Sequence, residues 1–548
     1  MSKKKVVAGV VAGIVVAGGV VGGLNASKIS AYYLKNFANP AKYYQYVEAE
    51  NLKNAVMTYE ALNKQYQEQL KQKYTDSSFE LSAELSDLGK NQIMAMTGGV
   101  LPAESIDWFK SFKLSGVSNF TENSLAVDGK VAVNDTDLLS MNFAGDTGMA
   151  TYVYKIPEIS DKYLGVNLVD MGMPEVNDEI VEFLKAVTEN KDVLPDHKKV
   201  ENVLERYGKI LVTSADDVKR EKNVSVKAGE ISVKTTKLTA SWDGKDLADL
   251  SKEMMTSMKD DKDLEEIIKS MDKLSVTAGA GMEEEFNYES FKSTIEEELN
   301  DFNEDDYKDS SFDMTIYVDG QNKVVGRDFS ANKKEVLSYK MPMNKDDFAL
   351  DLVLMDSDED SSLGLKGNGK ITKASLTGDF QFLSNDVEVV KVNLSKYDLE
   401  KAKKGQADME FTLIPAQIMA TNAQADMMKS YSMQVKLSGD NKEATLEVIP
   451  QYQEEALGKI VLKSALAEAK DIVLPSGEDV ILVSASGQEA FDWVKTFSQD
   501  KFDALKEKLK SAGLPENYVM IVEQGYAGLQ QQIAFMEEMA QGNYELAE

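Results

Sequence analysis

Apolar residues recur along this chain at two different spacings, and the spacing changes several times. Between Asn39 and Lys73 they recur at a near-helical period, and Asn39 followed by Pro40 is typical of a helix start. From Ser77 the period falls to two, as in a half-buried strand. The pattern therefore predicts a long helix, which is either a stalk or a docking helix, followed by a strand-rich region.

Alternating segments separated by turn residues predict antiparallel hairpins. In one region Leu139–Phe143 alternates with polar neighbours, and Met149–Ile156 ends at Pro157, where a ladder hydrogen bond would be lost. A second alternating region begins at Met314 and continues to residue 484. We expect a repeated meander with one apolar face.

Helical segments interrupt and follow the strands. Pro174 and Pro195 each stand where a helix with an apolar stripe begins, and an acidic connecting helix is expected within Met282–Asp309. A helical tail follows the second strand region and divides at Gly513 and Pro515. The helices are expected to cover one side of the sheets.

The N-terminus contains a segment long and apolar enough to cross a membrane. Lys3, Lys4 and Lys5 precede an uncharged run from Val6 to Leu24, which covers about 28 Å at ~1.5 Å per residue. Because basic residues stay on the cytoplasmic side, the N-terminus is expected inside and the rest of the chain outside. A cleaved signal peptide is the alternative, since the run is rich in small residues.

Two features near this run each have a membrane interpretation and a plainer one. Pairs such as Gly9 with Gly13 and Gly18 with Gly22 would let two such helices approach closely, or they reflect the ordinary composition of signal sequences. Nearby tyrosines would lie at a membrane boundary or pack on the ectodomain; they are Tyr32, Tyr33, Tyr43, Tyr44 and Tyr46.

Together these elements predict an α+β fold with curved antiparallel sheets covered by helices, in two such units. One N-terminal transmembrane helix and a helical stalk precede the units, and a helical tail follows them. A length of 548 residues also exceeds what one hydrophobic core usually organises. The predicted segments are 1–26 for the anchor or signal, 27–76 for the stalk, 77–300 and 301–486 for the two domains, and 487–548 for the C-terminal helices.

Charge and cysteine content narrow the classes of partner. With 61 basic and 92 acidic residues, the net charge of −31 would repel phosphate backbones, so we expect no nucleic-acid partner. The acidity suits cationic partners or ions, or serves only solubility. The absence of cysteine excludes disulfides, thiolate metal sites and a lipid-modified N-terminal cysteine, so any membrane attachment is through the peptide.

Two segments match ligand-binding motifs incompletely. Gly364–Ile371 has the glycine and lysine spacing of a phosphate loop, but Ile371 stands where serine or threonine should hold magnesium, so a glycine-rich hairpin turn is predicted. Asp356, Asp358 and Asp360 open like a calcium loop without its turn glycine or its bidentate glutamate, which predicts an exposed acidic turn. Weak calcium binding stays an open alternative there and at Asp305 with Asp306.

No constellation points to catalysis. The single histidine, His197, lies at an expected helix start, so no two-histidine metal site or relay exists. No nucleophile motif stands in a fitting context, and the carboxylates are too many to nominate a pair. We therefore expect no enzyme and assign no catalytic, cofactor-binding or metal-ligating residue. The methionine clusters suit a core or an adaptable cavity; they are Met254, Met255 and Met258, then Met427, Met428 and Met433.

The order of strands and helices resembles the lipoprotein-carrier fold of LolA-like and LppX-like bacterial envelope proteins. The passages that carry the resemblance are Val131–Val169, which includes Tyr152–Pro157, and Thr239–Asp246. The layout is also similar to an uncharacterised group of clostridial membrane-anchored surface proteins, through Asn39–Glu48. The carrier resemblance implies an apolar cavity for acyl chains, although this chain has no lipobox cysteine and two expected units.

Two functions from different classes follow. The first is a non-enzymatic, single-pass bacterial envelope protein that binds a lipid or another hydrophobic ligand in a cavity between sheet and helices. The second is a surface scaffold with filled cores and an acidic face that contacts a protein or a cell-wall component. An extracellular hydrolase using unassigned carboxylates is a third class, which would require a cleft with a convergent pair.

Overall fold

A computed structural model describes residues 34–36, 38–70, 76–97, 104–188, 195–277, 288–356, 361–415, 430–467, 470–484 and 488–540. The predicted membrane segment Val6–Leu24 lies outside these residues. Within the described part of the chain, no helix combines the length and the apolar character needed to cross a membrane.

The helices of the described residues are numbered here in chain order. They are α1 (Pro40–Leu70), α2 (Asp87–Met96), α3 (Glu104–Asp107), α4 (Pro174–Thr188), α5 (His197–Thr213), α6 (Gly244–Lys259), α7 (Lys262–Thr277), α8 (Tyr288–Asn300), α9 (Leu399–Ala402), α10 (Gln488–Val494), α11 (Gln499–Ser511) and α12 (Glu516–Ala540). The predicted break at Gly513 and Pro515 is confirmed, because α11 ends before it and α12 begins after it.

The strands are likewise numbered in chain order. They are β1 (Asp76–Leu85), β2 (Ser111–Phe120), β3 (Ser124–Val133), β4 (Thr136–Asp146), β5 (Thr151–Lys155), β6 (Tyr163–Asn167), β7 (Asp217–Ala228), β8 (Ile231–Trp242), β9 (Phe312–Val318), β10 (Val324–Ala331), β11 (Lys334–Lys340), β12 (Met343–Asn344), β13 (Asp347–Asp356), β14 (Ser361–Ile371), β15 (Leu376–Ser384), β16 (Val387–Tyr397), β17 (Ala407–Pro415), β18 (Tyr431–Gly439), β19 (Glu443–Tyr452), β20 (Glu455–Ala456), β21 (Gly458–Leu466) and β22 (Val480–Val483).

These strands belong to one mixed sheet of 22 strands, so the predicted fold class of separate antiparallel sheets is wrong. Neighbouring hairpins pair antiparallel, as predicted from their turns, but β22 pairs with β6 in parallel. The alternation within a strand specifies which residues share a face. It does not specify which distant strand becomes the neighbour or in which direction that strand runs.

The chain divides into two compact units, and neither is a continuous stretch. Unit 1 comprises residues 1–71, 191–405 and 413–429, and unit 2 comprises residues 72–190, 406–412 and 430–548. Each unit is described by itself below.

In unit 1, α1 is part of the core, which corrects the prediction of a helical stalk. The side chains of Tyr43, Tyr44 and Val47 are buried against Trp242 and the neighbouring strands and helices. The predicted cap is confirmed, because the Ala41 N–H donates to Asn39 Oδ1 at 2.9 Å. A helix with large aromatic residues on one face buries them wherever a sheet offers a matching apolar face.

The sheet of unit 1 runs in the order β7, β8, β9, β10, β11, β13, β14, β15 and β16. One face of β8, β9 and β10 packs against helices α1, α5, α6, α7 and α8. The buried residues include Tyr207, Leu211, Leu238, Trp242, Met254, Met255, Met258, Met314, Ile316 and Phe329. Packing of this kind leaves the covered face filled by side chains.

An ion pair lies inside this core. Arg327 of β10 donates from Nη1 and Nη2 to the two carboxylate oxygens of Glu48 of α1, at 2.6 and 2.7 Å. Both residues are buried, with exposures of 3% for Arg327 and 7% for Glu48. Burial alone would lower the pKa of Arg327, but the Glu48 carboxylate raises it above its ordinary value.

A buried carboxylate starts helix α7. Asp261 accepts hydrogen bonds from Arg206, from the Tyr207 hydroxyl and from the backbone N–H groups of Asp263 and Leu264. Burial opposes ionisation of this carboxyl, but its donors outweigh that effect and hold its pKa below the ordinary value of 3.8. The ionised carboxylate therefore stabilises the folded state.

This cap predicts a pH dependence of stability. Because the pKa of Asp261 is lower in the folded state, its contribution is complete above pH 3.8 and is lost as the pH falls through the folded pKa. Thermal unfolding of the wild type and of Asp261→Asn should therefore differ near neutral pH and converge as the pH falls below 3.8. A difference in Tm that does not change with pH would contradict the prediction.

The sheet of unit 2 interleaves strands from distant parts of the chain. Its order is β18, β19, β21, β1, β2, β3, β4, β5, β6 and β22. Strand β1 pairs with β2 on one side and with β21 on the other. The chain after α1 therefore enters the middle of this sheet.

Candidate functional site

A row of aliphatic side chains crosses seven adjacent strands of unit 2. In each pairing the two residues of the row are direct register partners, so their side chains lie on the same face. We call this set the leucine row: Leu437, Leu446, Leu462, Leu81, Leu114, Val131 and Leu139.

Two further rows flank the leucine row. We call the three rows together the apolar face. One flanking row consists of Val435, Val448, Ile460, Ala83, Phe112 and Val133. The other consists of Ala444, Ser464, Phe79, Gly116, Gly129 and Met141. None of these side chains carries a charge.

The opposite face of the same strands is charged. Glu80 of β1 pairs with Lys113 of β2 at 2.5 Å and with Lys463 of β21 at 2.9 Å. Hydrogen bonds from Lys113 and then Lys463 lower the pKa of Glu80. Strand alternation thus places charge on one side and hydrocarbon on the other.

Part of the apolar face is exposed to solvent. The exposures of Ile460, Leu462 and Met141 are 44%, 45% and 46%. Among the described residues, helices pack against this sheet at β2, β4, β6, β20 and β22. An extended apolar patch open to solvent marks an interaction surface in most soluble domains.

Helices close the face near β5. The ring of Phe183 in α4 meets Phe120 at 6.1 Å between centroids, and the Tyr152 hydroxyl donates to Asn177 Oδ1 at 2.7 Å. Trp493 of α10 packs against Tyr154 at 5.5 Å between centroids. Tyr152 and Tyr154 are on the apolar side of β5, because their register partners Gly145 and Phe143 are on that side of β4.

A small groove lies between α11, α12 and the segment after β5. Its volume is about 220 Å³, and its lining includes the stacked rings of Phe502 and Tyr526, whose centroids are 3.9 Å apart. Its other lining residues are Glu158, Ile159, Phe497, Ser498, Leu505, Val522, Gly525 and Leu529. Because small-molecule sites typically enclose ~300–1,000 Å³, the groove alone is too small for the acyl-chain cavity that the carrier resemblance implies.

At the rim of this groove a carboxylate has several donors. Glu158 accepts from the Ser140 N–H at 2.8 Å and from Lys508 Nζ at 3.2 Å. Burial would raise the pKa of Glu158, but these hydrogen bonds lower it overall. A carboxylate stabilised in its ionised form is a poor proton donor near neutral pH, so Glu158 is not suited to act as a general acid.

The glycine-rich segment Gly364–Ile371 forms most of strand β14 and extends to its last residue, which corrects the prediction of a hairpin turn. The strand pairs along its length with β13 and β15. Gly369 lies directly opposite Gly378, and the two backbones approach closely there. The glycines therefore permit close strand packing and do not form a phosphate-binding loop before a helix.

The other residues considered from the sequence do not converge on a site. Asp358, Asp360, Met427 and Met428 lie outside the described residues, and no group of three or more potential metal ligands occurs within the described part of the chain. His197 is the first residue of α5, directly after the cap Asp196. Met254, Met255 and Met258 are buried in the core of unit 1, as the core interpretation predicted.

Sequence reasoning missed the leucine row although each of its strands was recognisable. The signal was the alternation in every strand, for example Phe79, Leu81 and Ala83 in β1. The row becomes visible only when the neighbour and the register of each strand are known. Leu81, for example, lies opposite Leu462, which is far away in the sequence.

Comparison of this chain with protein-family models, with curated proteins and with solved structures found no match. The resemblance to lipoprotein carriers therefore stays a prediction.

Proposed function

We propose that this protein is a non-enzymatic envelope protein that binds the hydrocarbon part of a lipid on the apolar face of unit 2. The N-terminal segment Val6–Leu24 would hold it in the cell membrane with its N-terminus in the cytoplasm and the remainder outside. The observation that supports the ligand is the alignment of uncharged side chains across seven strands, with Ile460 and Leu462 nearly half exposed.

The physical reason is the free energy of apolar burial. Covering exposed apolar surface contributes about 25 cal/mol per Å² to the free energy of binding. A hydrocarbon chain needs no hydrogen-bond partner or counter-charge on this face. An ionic ligand would find no partner on this face, because the paired charges at Glu80, Lys113 and Lys463 lie on the other side of the sheet.

A surface scaffold is the second candidate, and an observation in unit 1 favours it. There helices cover the buried side of β8, β9 and β10, as that hypothesis predicts for a protein that binds partners through its exterior. The acidic net charge of −31 would then favour a cationic protein or cell-wall partner. The two candidates differ in what copurifies with the protein.

The test is lipid retention by the full-length protein, measured by native mass spectrometry and by titration with a fluorescent fatty acid. Leu462→Asp places a carboxylate in the middle of the exposed apolar face, so ligand affinity should fall at least about tenfold, because a charge buried without a partner is costly. The matched control is Thr445→Asp, which adds the same charge on the opposite face beside Lys463.

Equal affinities for the wild type and Leu462→Asp would remove the apolar face as the binding site. A wild type that retains no lipid and takes up no fatty acid would leave the scaffold as the better description.

A further inference from the structure

We infer that the bound hydrocarbon chain lies across the strands along the leucine row, and that this row accommodates a chain about twice as long as one membrane acyl chain. The ligand class is then a long-chain or polyisoprenoid lipid. This inference rests on the proposed lipid-binding function and specifies its ligand.

The length follows from sheet geometry. The leucine row occupies seven adjacent strands and therefore spans six inter-strand spacings. At ~4.8 Å for each spacing the row is about 29 Å long. A bilayer core of ~30 Å holds two layers of acyl chains, so one chain covers roughly 15 Å, about half of the row.

The direction follows from what borders the face. In β1 and β2 the apolar surface ends at Ser77 and Ser118, whose hydroxyl oxygens are 2.8 Å apart, and in β21 Ser464 interrupts it before Leu466. A chain lying along these strands would reach polar hydroxyls after a few residues. Across the strands, each position from Leu437 to Leu139 offers an aliphatic side chain.

The absence of charge within the row specifies where a headgroup goes. Along the row and the flanking row of Val435, Val448, Ile460, Ala83, Phe112 and Val133, no side chain can pair with a phosphate or an ammonium group. The occupant is therefore hydrocarbon over the whole 29 Å or so, and its polar end projects beyond one end of the row.

The experiment measures affinity as a function of chain length. Dodecanol, hexadecanol and tetracosanol, delivered to the full-length protein from cyclodextrin, compete with a fluorescent fatty acid. Each newly buried methylene can strengthen binding by up to about fourfold, so tetracosanol should bind at least about tenfold more tightly than hexadecanol. The polyisoprenoid alcohol solanesol should also bind, with one molecule per protein.

A variant at the centre of the leucine row tests whether one hydrocarbon chain occupies the row without interruption. Leu81→Asp places a carboxylate at the fourth of the seven positions, so tetracosanol should lose its advantage over hexadecanol while dodecanol still binds. Ser82→Asp, on the opposite face of β1, should leave the length dependence unchanged. If Leu81→Asp does not fold, Leu462→Asp at an exposed position of the same row provides the same test.

The outcomes separate the inference from the function on which it rests. Binding that stops improving at hexadecanol, or two hexadecanol molecules bound with no preference for the longer chain, would overturn the inference alone. No binding of any alcohol would overturn the proposed function. Equal effects of Leu81→Asp and Ser82→Asp would show that the chain does not follow the leucine row.

Discussion

Replacing Glu48 by alanine is expected to reduce the free energy of unfolding by about 3–5 kcal/mol, because it leaves a guanidinium buried without a carboxylate. Arg327 is 3% exposed and its two terminal nitrogens both donate to Glu48. The pair joins α1 to β10 and is buried near Tyr44, so water does not hydrate the guanidinium in the folded state. The penalty is that of an uncompensated buried charge.

Hydrogen exchange measures the loss of stability of unit 1 in Glu48→Ala. The amides of α1 and β10 should lose protection in Glu48→Ala, whereas the surface variant Lys463→Ala, which removes an exposed pair with Glu80, should change stability by less than about 1 kcal/mol. A loss below about 1 kcal/mol for Glu48→Ala would show that the pair is solvated in solution.

The double variant Glu48→Met with Arg327→Met separates charge from packing. Tyr44 Oη and Arg327 Nε have no hydrogen-bond partner within the described residues, so the ion pair is not fully satisfied. Replacing both charges by apolar side chains should therefore recover most of the stability that either single change loses. Recovery would show that the pair determines where α1 sits more than how stable unit 1 is.

Element types were predictable from the sequence wherever a local signal decides them. Asn39 and Pro40 start α1, and Gly513 with Pro515 separates α11 from α12, because capping and proline geometry act over a few residues. The strand periodicity of residues 77–85 was equally clear and is β1.

The arrangement of those elements was not predictable, because it depends on contacts between distant residues. Strand β1 pairs with β21 some 380 residues later in the chain, and nothing in the alternation of Phe79, Leu81 and Ala83 specifies that neighbour. For the same reason the position of α1 in the core was not predictable. Its aromatic face suits either a stalk near a membrane or a core, and only its contacts in the fold distinguish the two.

The candidate site shows the limit most clearly. Each strand contributes one aliphatic residue to the leucine row, which is ordinary for a strand with one buried face. Only the register of β18, β19, β21 and β1 makes them a row, and only their exposure shows that no described helix fills the space above Ile460 and Leu462. In unit 1 the same alternation in β8 and β9 produces a filled core.

Replacing Trp493 by alanine is the second change with a large expected effect, and it concerns the helix that closes the apolar face near β5. The Trp493 ring packs at 5.5 Å from Tyr154 and 4.8 Å from Phe497, and its Nε1–H donates to the Lys162 carbonyl at 3.0 Å. Removing a buried tryptophan side chain typically costs about 3–5 kcal/mol. We expect a loss of that size in the protection of β5, β6 and α10 against hydrogen exchange.

Trp493→Phe is the matched control, because it retains an aromatic ring against Tyr154 and loses the hydrogen bond to Lys162. Its expected cost is therefore smaller, with about 1 kcal/mol from the hydrogen bond and the rest from the smaller ring. Equal costs for the two variants would mean that the hydrogen bond, and not the packing, holds α10 in place.

If α10 only closes one end of the apolar face, Trp493→Ala should leave the advantage of tetracosanol over hexadecanol intact, since the leucine row ends at Leu139 of β4 and does not include β5. Loss of that advantage would instead extend the ligand site to the aromatic residues around Tyr154.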